Sequence, residues 1–426
     1  MKQFSKIKES DVDWIGKIPS DWSTKKLKFS INHRTQKSKK NSSTLPYVGL
    51  ENVETKTGIL IDTNEEMEES DAKVVLKNDV LFGKLRPYLA KVVKINFDAR
   101  CSGEFLVMEG RDYEPDFLKY LLLSDGAIKR INASTYGAKM PRAEWTFIGN
   151  MRFPTMSKNT QKNIINFLKL TIPQLHSCIK NHQNLIELLQ QKRQATINRV
   201  VLEGLDPNIS LKDSKFKLIK KIPVHWDIHA LKHFIKISIC DGPHTTPEFV
   251  KDGIPFLSVD SIQDDKLFLE NPRYISKEDH IKFSKKCKPM KNDILLGKAA
   301  SVGKVAIVET DIEFNIWSPL AVIRLKNKHI PKFYYYFMRS NFFQDQIMLN
   351  VNFNTQGNIG MDDISNLQIV DIPNEEQKQI VDYLEKIVPK IDVLISNLEK
   401  QILKLQEYYQ LIISKSVTGK IDTGCA

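Results

Sequence analysis

The feature that most constrains the fold of this chain is an internal duplication. Three segments of the first half return in the same order in the second half: KIPSDW (17–22) as KIPVHW (221–226), KNDVLFGK (77–84) as KNDILLGK (291–298), and QKNIINFL (161–168) as QKQIVDYL (377–384). Chance does not produce a collinear series of this length. Each half is far longer than a solenoid repeat of about 20–50 residues, so the chain is a duplicated pair of domains.

Each half opens with a strand-rich zone, at about 20–155 and 225–372. Short aliphatic runs such as AKVVKI and LAVIRL are separated by Gly, Asn, Asp and Pro, a pattern typical of strands joined by turns. One helical stretch is expected to interrupt the strands in each half, at 116–131 and 332–349. The predicted fold class is α+β, with two similar strand-rich α/β globules.

Each half closes with a segment of helical periodicity. In the second half, Asn374 followed by two glutamates is a favourable helix start. The apolar positions after it alternate spacings of four and three, which is typical of a coiled-coil seam. Those positions are Ile380, Leu384, Ile387, Ile391, Leu394 and Leu398, followed after a slip by Ile402 and Leu405.

The corresponding first-half segment, 160–203, has a weaker seam because Thr171, Cys178 and His182 occupy three of its positions. The simplest partner for each seam is its twin in the same chain. We therefore predict an antiparallel pair, about 60 Å long at 1.5 Å per residue, that separates the two globules as a rigid spacer. The alternative is that each helix packs on its own globule.

A proline lies inside each helical segment, and Pro173 and Pro389 are predicted to break or kink the helices. The chain then divides into a first globule (1–157), a first spacer helix (158–205), a second globule (206–373), and a second spacer helix with a C-terminal tail (374–426).

The charge balance favours a polyanionic partner. The formal net charge of the 426 residues is +12, and a basic surplus of this size favours nucleic acid, although solvated lysines on an ordinary protein remain the alternative. No apolar run approaches the roughly 20 residues that span a bilayer, and the first residues lack the apolar core of a signal peptide. A cytoplasmic protein with no membrane partner is expected.

The cysteines show no metal-ligand spacing. They are Cys101, Cys178, Cys240, Cys287 and Cys425. Because their number is odd and no export signal is seen, free thiols are expected, with no metal site.

No catalytic motif is complete. NPRY (271–274) is similar to the tetrapeptide with which amino-methyltransferases hold a flipped adenine, but it lacks the second proline and a glycine-rich cofactor turn. GKAASVGK (297–304) has five residues between its glycines where a phosphate loop needs four. His225, His229 and His233 have helical spacing, but Pro223 favours a turn entering a strand and a surface cluster. The chain is expected to be non-catalytic.

The two strand-rich domains, each followed by a long helix, resemble the specificity (S) subunit of type I restriction–modification systems. The helix-opening motif reads IPNEEQKQIVDYL (372–384), and its first copy, FPTMSKNTQKNIINFL, keeps Gln161 but loses both glutamates. DGPHTTPEFVKDGIPFLSV (241–259) and NTQGNIGMDDISNLQIVDIP (354–373) resemble the family's domain-opening and domain-closing segments. The resemblance extends over about 12–421.

This resemblance implies two target-recognition domains, each reading one half of a split sequence in double-stranded DNA. It also implies that the helices set the spacing and dock two methyltransferase (M) subunits, with restriction (R) subunits joining through the complex. S-adenosylmethionine, ATP and magnesium would act in those partners, so this chain would need no cofactor. Because the two halves have diverged, the two half-sites should differ.

Phosphate contacts need Lys or Arg, and base reading needs Arg, Lys, Asn or Gln. Loops at equivalent places in the two halves supply three sets of candidates: Lys84, Arg86 and Lys298; Lys139, Arg142, Gln356 and Asn358; and His244 with Thr245. Each could instead be a turn residue with a solvated side chain. The lysine shared by both KND segments is expected to contact phosphate or to be structural, whereas Arg142 and Gln356, where the halves differ, are better candidates for reading bases.

Two further interpretations remain open at this stage. The chain could be a stand-alone DNA-binding or regulatory protein, or a coiled-coil scaffold whose globules bind protein. The repeated hexapeptide is interpreted as a turn that leads into a strand, with Trp22 or Trp226 in the core of its domain. Glu375 and Glu376 could contact a partner subunit or serve only as helix-start residues.

Overall fold

The computed structural model describes residues 4, 6–38, 45–61, 72–135, 139–352 and 357–423. The chain forms two compact units. The first unit comprises Met1–Asn184 with Leu398–Ala426, and the second comprises Leu185–Asn397. Each unit therefore contains one strand-rich globule together with a part of each long helix.

The first unit contains short strands grouped in small sheets. The strands are β1 (Ile7–Glu9), β2 (Lys17–Pro19), β3 (Ser23–Lys26), β4 (Ile31–Arg34), β5 (Tyr47–Val48), β6 (Lys73–Val75), β7 (Val80–Gly83), β8 (Val92–Lys94), β9 (Ala99–Cys101), β10 (Phe105–Gly110) and β11 (Arg152–Thr155). The helices that begin in this unit are α1 (Pro115–Leu123), α2 (Asp125–Ala133), α3 (Trp145–Asn150) and α4 (Lys158–Glu203).

The second unit is also built from short strands and helices. Its strands are β12 (Leu211–Phe216), β13 (Ile219–Pro223), β14 (Asp227–Ala230), β15 (Cys240–Asp241), β16 (Ile254–Leu257), β17 (Ile262–Gln263), β18 (Lys266–Leu267), β19 (Arg273–Ile275), β20 (Ile294–Gly297), β21 (Val305–Ile307), β22 (Asn315–Ile316), β23 (Leu320–Ile323) and β24 (Gln368–Asp371). Its helices are α5 (Lys277–Ser284), α6 (Pro331–Met338), α7 (Asn341–Asn350), α8 (Met361–Asn366) and α9 (Asn374–Val417).

The two main sheets have the same strand order, β4-β10-β7-β8 in the first unit and β15-β23-β20-β21 in the second. Their registers correspond as well: Gly83 pairs with Phe105, and Gly297 pairs with Leu320. The mixed helix-and-strand fold class and the duplication predicted from the sequence are thus confirmed.

The recurrent KND segment owes its recurrence to a turn. Asn78 and Asn292 have φ angles of 75° and 72°, a left-handed conformation that asparagine tolerates better than most residues. The following aspartate accepts the backbone N–H three residues before it, at 2.8 Å from Leu76 to Asp79 and 2.7 Å from Met290 to Asp293. The motif thus closes the turn into β7 and β20.

The repeated hexapeptide ends a hairpin strand and then turns. Lys17–Pro19 is β2 and pairs with β1, and a backbone hydrogen bond of 3.0 Å from Trp22 to Pro19 closes the turn before β3. The same bond joins Trp226 to Pro223. Both tryptophans are 0% exposed, so their predicted role as core residues is confirmed.

A glycine at the end of a long helix approaches each tryptophan. Gly204 follows α4 with a φ of 81° and lies against Trp226 in the second unit. Gly419 follows α9 with a φ of 69° and lies against Trp22 in the first unit. A positive φ just after a helix is the conformation that glycine adopts without strain, and this recurrence was not recognised from the sequence.

The glutamine of the helix-opening motif is buried in both copies. Gln161 and Gln377 are buried, and each carboxamide oxygen accepts a backbone N–H, from Glu114 at 2.7 Å and from Ile330 at 2.9 Å. Leaving such a buried N–H unsatisfied costs about 1–3 kcal/mol. This explains why the glutamine persists in both copies.

The carboxylate of Glu376 contacts the side chains of both His225 and Trp226 in the second hexapeptide. Trp226 Nε1 donates a hydrogen bond of 2.9 Å to one oxygen, and His225 Nε2 lies 2.7 Å from the other. In the first copy threonine stands at the corresponding position, Thr160, and Trp22 Nε1 has no hydrogen-bond partner among the described residues. The glutamate therefore anchors the second hexapeptide to its helix.

Neither proline ends its helix, because α4 continues through Pro173 and α9 through Pro389. Of the two predicted effects, a break or a kink, the break was wrong. Each helix is longer than a single turn on either side of the proline, so the loss of one backbone hydrogen bond does not stop it.

The predicted seam of α9 is wrong in its middle, at Ile387 and Leu394, and agrees with the structure on either side. Beyond the middle, Leu398, Ile402 and Leu405 are half-buried. Ile380, Leu384 and Ile391 are buried, but Leu394 is 52% exposed and Ile395 is buried instead. Val388, not Ile387, also faces the core. Both choices satisfy a heptad pattern, so only the packed neighbours decide between them.

The long helices are antiparallel within each unit. In the first unit the rings of His176 and Tyr409 stack at 5.1 Å, and His182 Nε2 lies 2.8 Å from Gln401 Oε1. In the second unit Arg193 forms an ion pair of 2.6 Å with Asp392. The histidine that weakens the first seam thus makes a polar contact across the pair. None of the described helices is long and apolar enough to cross a membrane.

Two other expectations are corrected. The helical stretch predicted in each half is a pair of helices. The break lies at Ser124 between α1 and α2, and just before Ser340 between α6 and α7. The side chain of Ser340 accepts the N–H of Phe343 and so caps α7.

Cys240 and Cys287 form a disulfide with Cα atoms 5.6 Å apart, so free thiols were the wrong expectation for this pair. Residue counting cannot show that the fold brings two distant cysteines together. Cys101 and Cys178 are thiols, and Cys425 lies outside the described residues.

Candidate nucleic-acid interface

A backbone frame gathers three loops at the end of β7 in the first unit. The N–H of Lys84 donates to the carbonyl of Glu104 at 2.8 Å, and the carbonyl of Lys84 accepts the N–H of Ala143 at 3.0 Å. Leu85 forms an isolated bridge with Arg142. Residues that are far apart in the sequence therefore lie side by side.

The second unit builds the same frame at the end of β20. The N–H of Lys298 donates to the carbonyl of Pro319 at 2.8 Å, its carbonyl accepts the N–H of Ile359 at 2.9 Å, and Ala299 bridges Asn358. The frame therefore makes Arg142 the counterpart of Asn358 and Glu104 the counterpart of Pro319. Gln356, which the sequence set beside Arg142, lies outside the described residues.

Arg142 is held by a two-point ion pair. Its Nε donates to Glu104 Oε2 at 3.2 Å and its Nη2 donates to Glu104 Oε1 at 3.0 Å. The arginine side chain is nevertheless 58% exposed. A guanidinium fixed through one edge still presents its other N–H groups to solvent.

Basic groups lie near the acidic member of this pair, since the charge of Glu104 acts on Lys73. Burial, with Lys73 and Lys84 nearby, lowers the pKa of His33, whose ring stacks on Trp145 at 4.3 Å. Burial and the charge of Lys84 also lower the pKa of Lys73, whose ammonium donates to a backbone carbonyl. Lys73 and Lys84 therefore add positive charge near Glu104, which favours an anionic partner.

Lys298 has a different environment from its counterpart. It is only 8% exposed, and its ammonium lies 3.2 Å from the fully buried carboxylate of Asp241. The ammonium of Lys286 lies 2.6 Å from the other oxygen of Asp241, Oδ1, and His244 Nε2 lies 3.6 Å from Oδ2, the oxygen that Lys298 contacts. Of the two roles expected for Lys298, phosphate contact or structure, this arrangement favours the structural one. Lys84, its counterpart in the first unit, is only half-buried.

The remaining candidates occupy exposed loop positions. Arg86 is exposed with a φ of 50°, and its N–H donates to the carbonyl of Pro141 at 2.8 Å. Lys139, His244 and Thr245 are exposed. Sequence reasoning missed Glu104, Lys73, Asp241 and Lys286, because their positions relative to the loops depend on strand pairing. The described residues contain no group of three His, Cys, Asp or Glu side chains that could hold a metal ion.

Comparison with known proteins bears on this arrangement. Residues 223–404 match the family model described as type I restriction modification DNA specificity domain. The chain is 26% identical over 309 residues to the type I restriction enzyme EcoBI specificity subunit of Escherichia coli, covering 70% of this chain and 64% of that protein. It is 21% identical to the type I restriction enzyme MjaIX specificity subunit of Methanocaldococcus jannaschii, covering 98% and 96% of the two chains.

Solved structures share the fold. A chain from a study of complex assembly and conformational transition of the type I R-M system has a TM-score of 0.76 at 20% identity, covering 95% of this chain and 99% of that one. The HsdS subunit of Thermoanaerobacter tengcongensis has a TM-score of 0.55 at 20% identity, covering 95% and 98%.

The sequence comparisons point to one class of similar proteins, the type I DNA-specificity proteins. The chain thus resembles the specificity subunits of type I restriction–modification systems in sequence, and it shares the fold of solved type I R-M structures. The match spans 64% of the length of the Escherichia coli relative, which is less than two thirds.

Proposed function

We propose that this chain is the DNA-recognition subunit of a type I restriction–modification complex, and that each unit reads one half of an asymmetric split target. The observation that carries the proposal is the repeated frame, which places Arg142 in one unit where Asn358 stands in the other. One scaffold carrying two different base-reading side chains suits a target with two different halves.

We propose further that the long helices set the spacing between half-sites and dock partner subunits. The helices have 46 and 44 residues, which corresponds to about 65–70 Å at 1.5 Å per residue and exceeds one turn of DNA, about 34–36 Å. Apolar side chains stand exposed along them: Leu170, Leu188, Val393, Leu394 and Leu403. A docked subunit that covered these side chains would remove apolar surface from water, which favours association.

In this proposal the chain performs no chemistry. Two methyltransferase subunits and the restriction subunits would contribute S-adenosylmethionine-, ATP- and magnesium-dependent steps. The incomplete motifs described above support this division of labour.

Deletion of the gene should remove one split adenine-methylation motif from the host DNA. Methylation-sensitive long-read sequencing before and after deletion measures this directly, and restoring the gene should restore the motif. An unchanged methylome in a host that expresses the complete system would contradict the proposal.

Binding to DNA should weaken steeply with salt, because phosphate neutralisation releases counterions. If six to ten phosphates are contacted, affinity should fall about 10³-fold or more between 50 and 200 mM salt. Fluorescence anisotropy of a labelled duplex with the chain and its bound subunits gives the slope. A slope near zero would favour the protein-binding scaffold instead.

A further inference from the structure

The repeated frame makes an arginine and an asparagine equivalent, and this equivalence carries an inference about the target. Arg142 bridges Leu85 and Asn358 bridges Ala299. The residue after Arg142, Ala143, donates its N–H to the carbonyl of Lys84. The residue after Asn358, Ile359, donates its N–H to the carbonyl of Lys298. The two side chains therefore leave the same point of the same backbone scaffold.

Arg142 is prepared for a two-point contact. Its pairing with Glu104 occupies Nε and one hydrogen of Nη2. The other edge, formed by Nη1 and the second hydrogen of Nη2, is the one that matches the O6 and N7 acceptors of guanine. Because the carboxylate fixes the plane of the guanidinium, less side-chain entropy is lost on contact with a base.

Asn358 is exposed, and its backbone is fixed by two hydrogen bonds with Asn352, of 2.9 and 3.2 Å. A carboxamide offers one acceptor and one donor group side by side, which matches N6 and N7 of adenine. Pro319 stands where the first unit has Glu104, so no carboxylate at that position would hold an arginine there.

The shared lysines do not account for specificity. Lys84 and Lys298 are the same residue in both halves, and Lys298 is buried against Asp241. Two identical side chains cannot distinguish two different half-sites, whereas the position of Arg142 and Asn358 differs between the two frames.

We propose that Arg142 reads a guanine in one half-site, that Asn358 reads an adenine at the corresponding place in the other, and that Glu104 is a positioning residue for Arg142. This inference rests on the proposed function of the chain in DNA recognition.

The test is selection from a library of randomised duplexes, followed by sequencing. The probe is the full-length tagged chain purified from its host with its bound subunits. Wild type, Arg142→Asn and Asn358→Arg are compared, with Arg199→Asn as the control that removes an exposed helix arginine. If wild type selects no sequence, the proposed function itself fails.

If wild type selects a split motif, the swaps decide the inference. Arg142→Asn should weaken the preference for one guanine by roughly ten-fold or more and leave the other half-site unchanged. Asn358→Arg should weaken the preference for one adenine in that other half-site. Unchanged preferences, or loss of all DNA binding by a folded variant, would overturn the proposal.

A second pair of variants covers failure to fold and tests the positioning role. Arg142→Lys keeps the positive charge but removes the planar guanidinium with its paired N–H donors, so it should lose the same guanine preference. Glu104→Gln should weaken the preference at that base pair alone and should have no further effect in an Arg142→Lys background. Glu104→Asp, which keeps the carboxylate, should retain part of the preference that Glu104→Gln loses. A uniform change across all positions would show that Glu104 is only structural.

Discussion

Trp22→Ala should lower the free energy of unfolding of the first unit by about 3–5 kcal/mol. The ring is 0% exposed and lies in the core that joins the hexapeptide to the end of α9. Gly419 is in close contact with Trp22 and with Pro19, so removal of the ring leaves a cavity between a strand and a helix end. Cavities of this kind collapse only partly.

The effect should be local, and hydrogen exchange measured peptide by peptide can separate the two units. Peptides around β2 and β3 should lose protection, whereas those around β13 and β14 should not. Phe29→Ala is the matched control, because Phe29 is a largely exposed aromatic residue of the same globule and its removal should cost less than about 0.5 kcal/mol. A loss below about 1 kcal/mol for Trp22→Ala would contradict its role as a core residue.

The duplication made much of the fold predictable. Segments that recur in order identify the domains, and the tryptophan and glutamine that recur with them, such as Trp226 and Gln377, prove to be buried. Their recurrence reflects a packing requirement that both copies must satisfy. The sequence also predicted the long helices, since Asn374 and the apolar spacing after it are local signals.

The parts that could not be predicted depend on contacts between distant segments. Leu394 and Ile395 fit the heptad pattern equally well, and only the neighbouring surface selects the second. The disulfide between Cys240 and Cys287 depends on the placement of β15 beside the chain that follows α5.

The candidate interface illustrates the same limit. The loops were found from the sequence, but alignment of the loops by glycine paired Arg142 with Gln356. Backbone hydrogen bonds pair it with Asn358 instead. Glu104, the partner of Arg142, carries no motif, so no sequence signal identified it.

Arg324→Met should lower the free energy of unfolding of the second unit by about 3–5 kcal/mol, because it leaves a buried carboxylate without its cation. Arg324 donates to both oxygens of Asp293, at 2.8 and 2.7 Å, and the side chain of Asp293 is 2% exposed. These hydrogen bonds raise the pKa of Arg324 although its partial burial lowers it. In the first unit Arg34 pairs with Asp79 from a different strand, β4, so the two copies neutralise the same KND aspartate by independent routes.

The origin of the loss can be tested with a double variant. Arg324→Met combined with Asp293→Asn removes the buried charge but keeps an acceptor for the N–H of Met290, so it should recover most of the lost stability. Lys291→Met breaks the exposed pair with Asp311 and should cost less than about 1 kcal/mol. Urea denaturation with hydrogen exchange on β20 and β23 measures all three. If Arg324→Met were no more damaging than Lys291→Met, the KND aspartate would not need a paired cation, and its recurrence would rest on the turn alone.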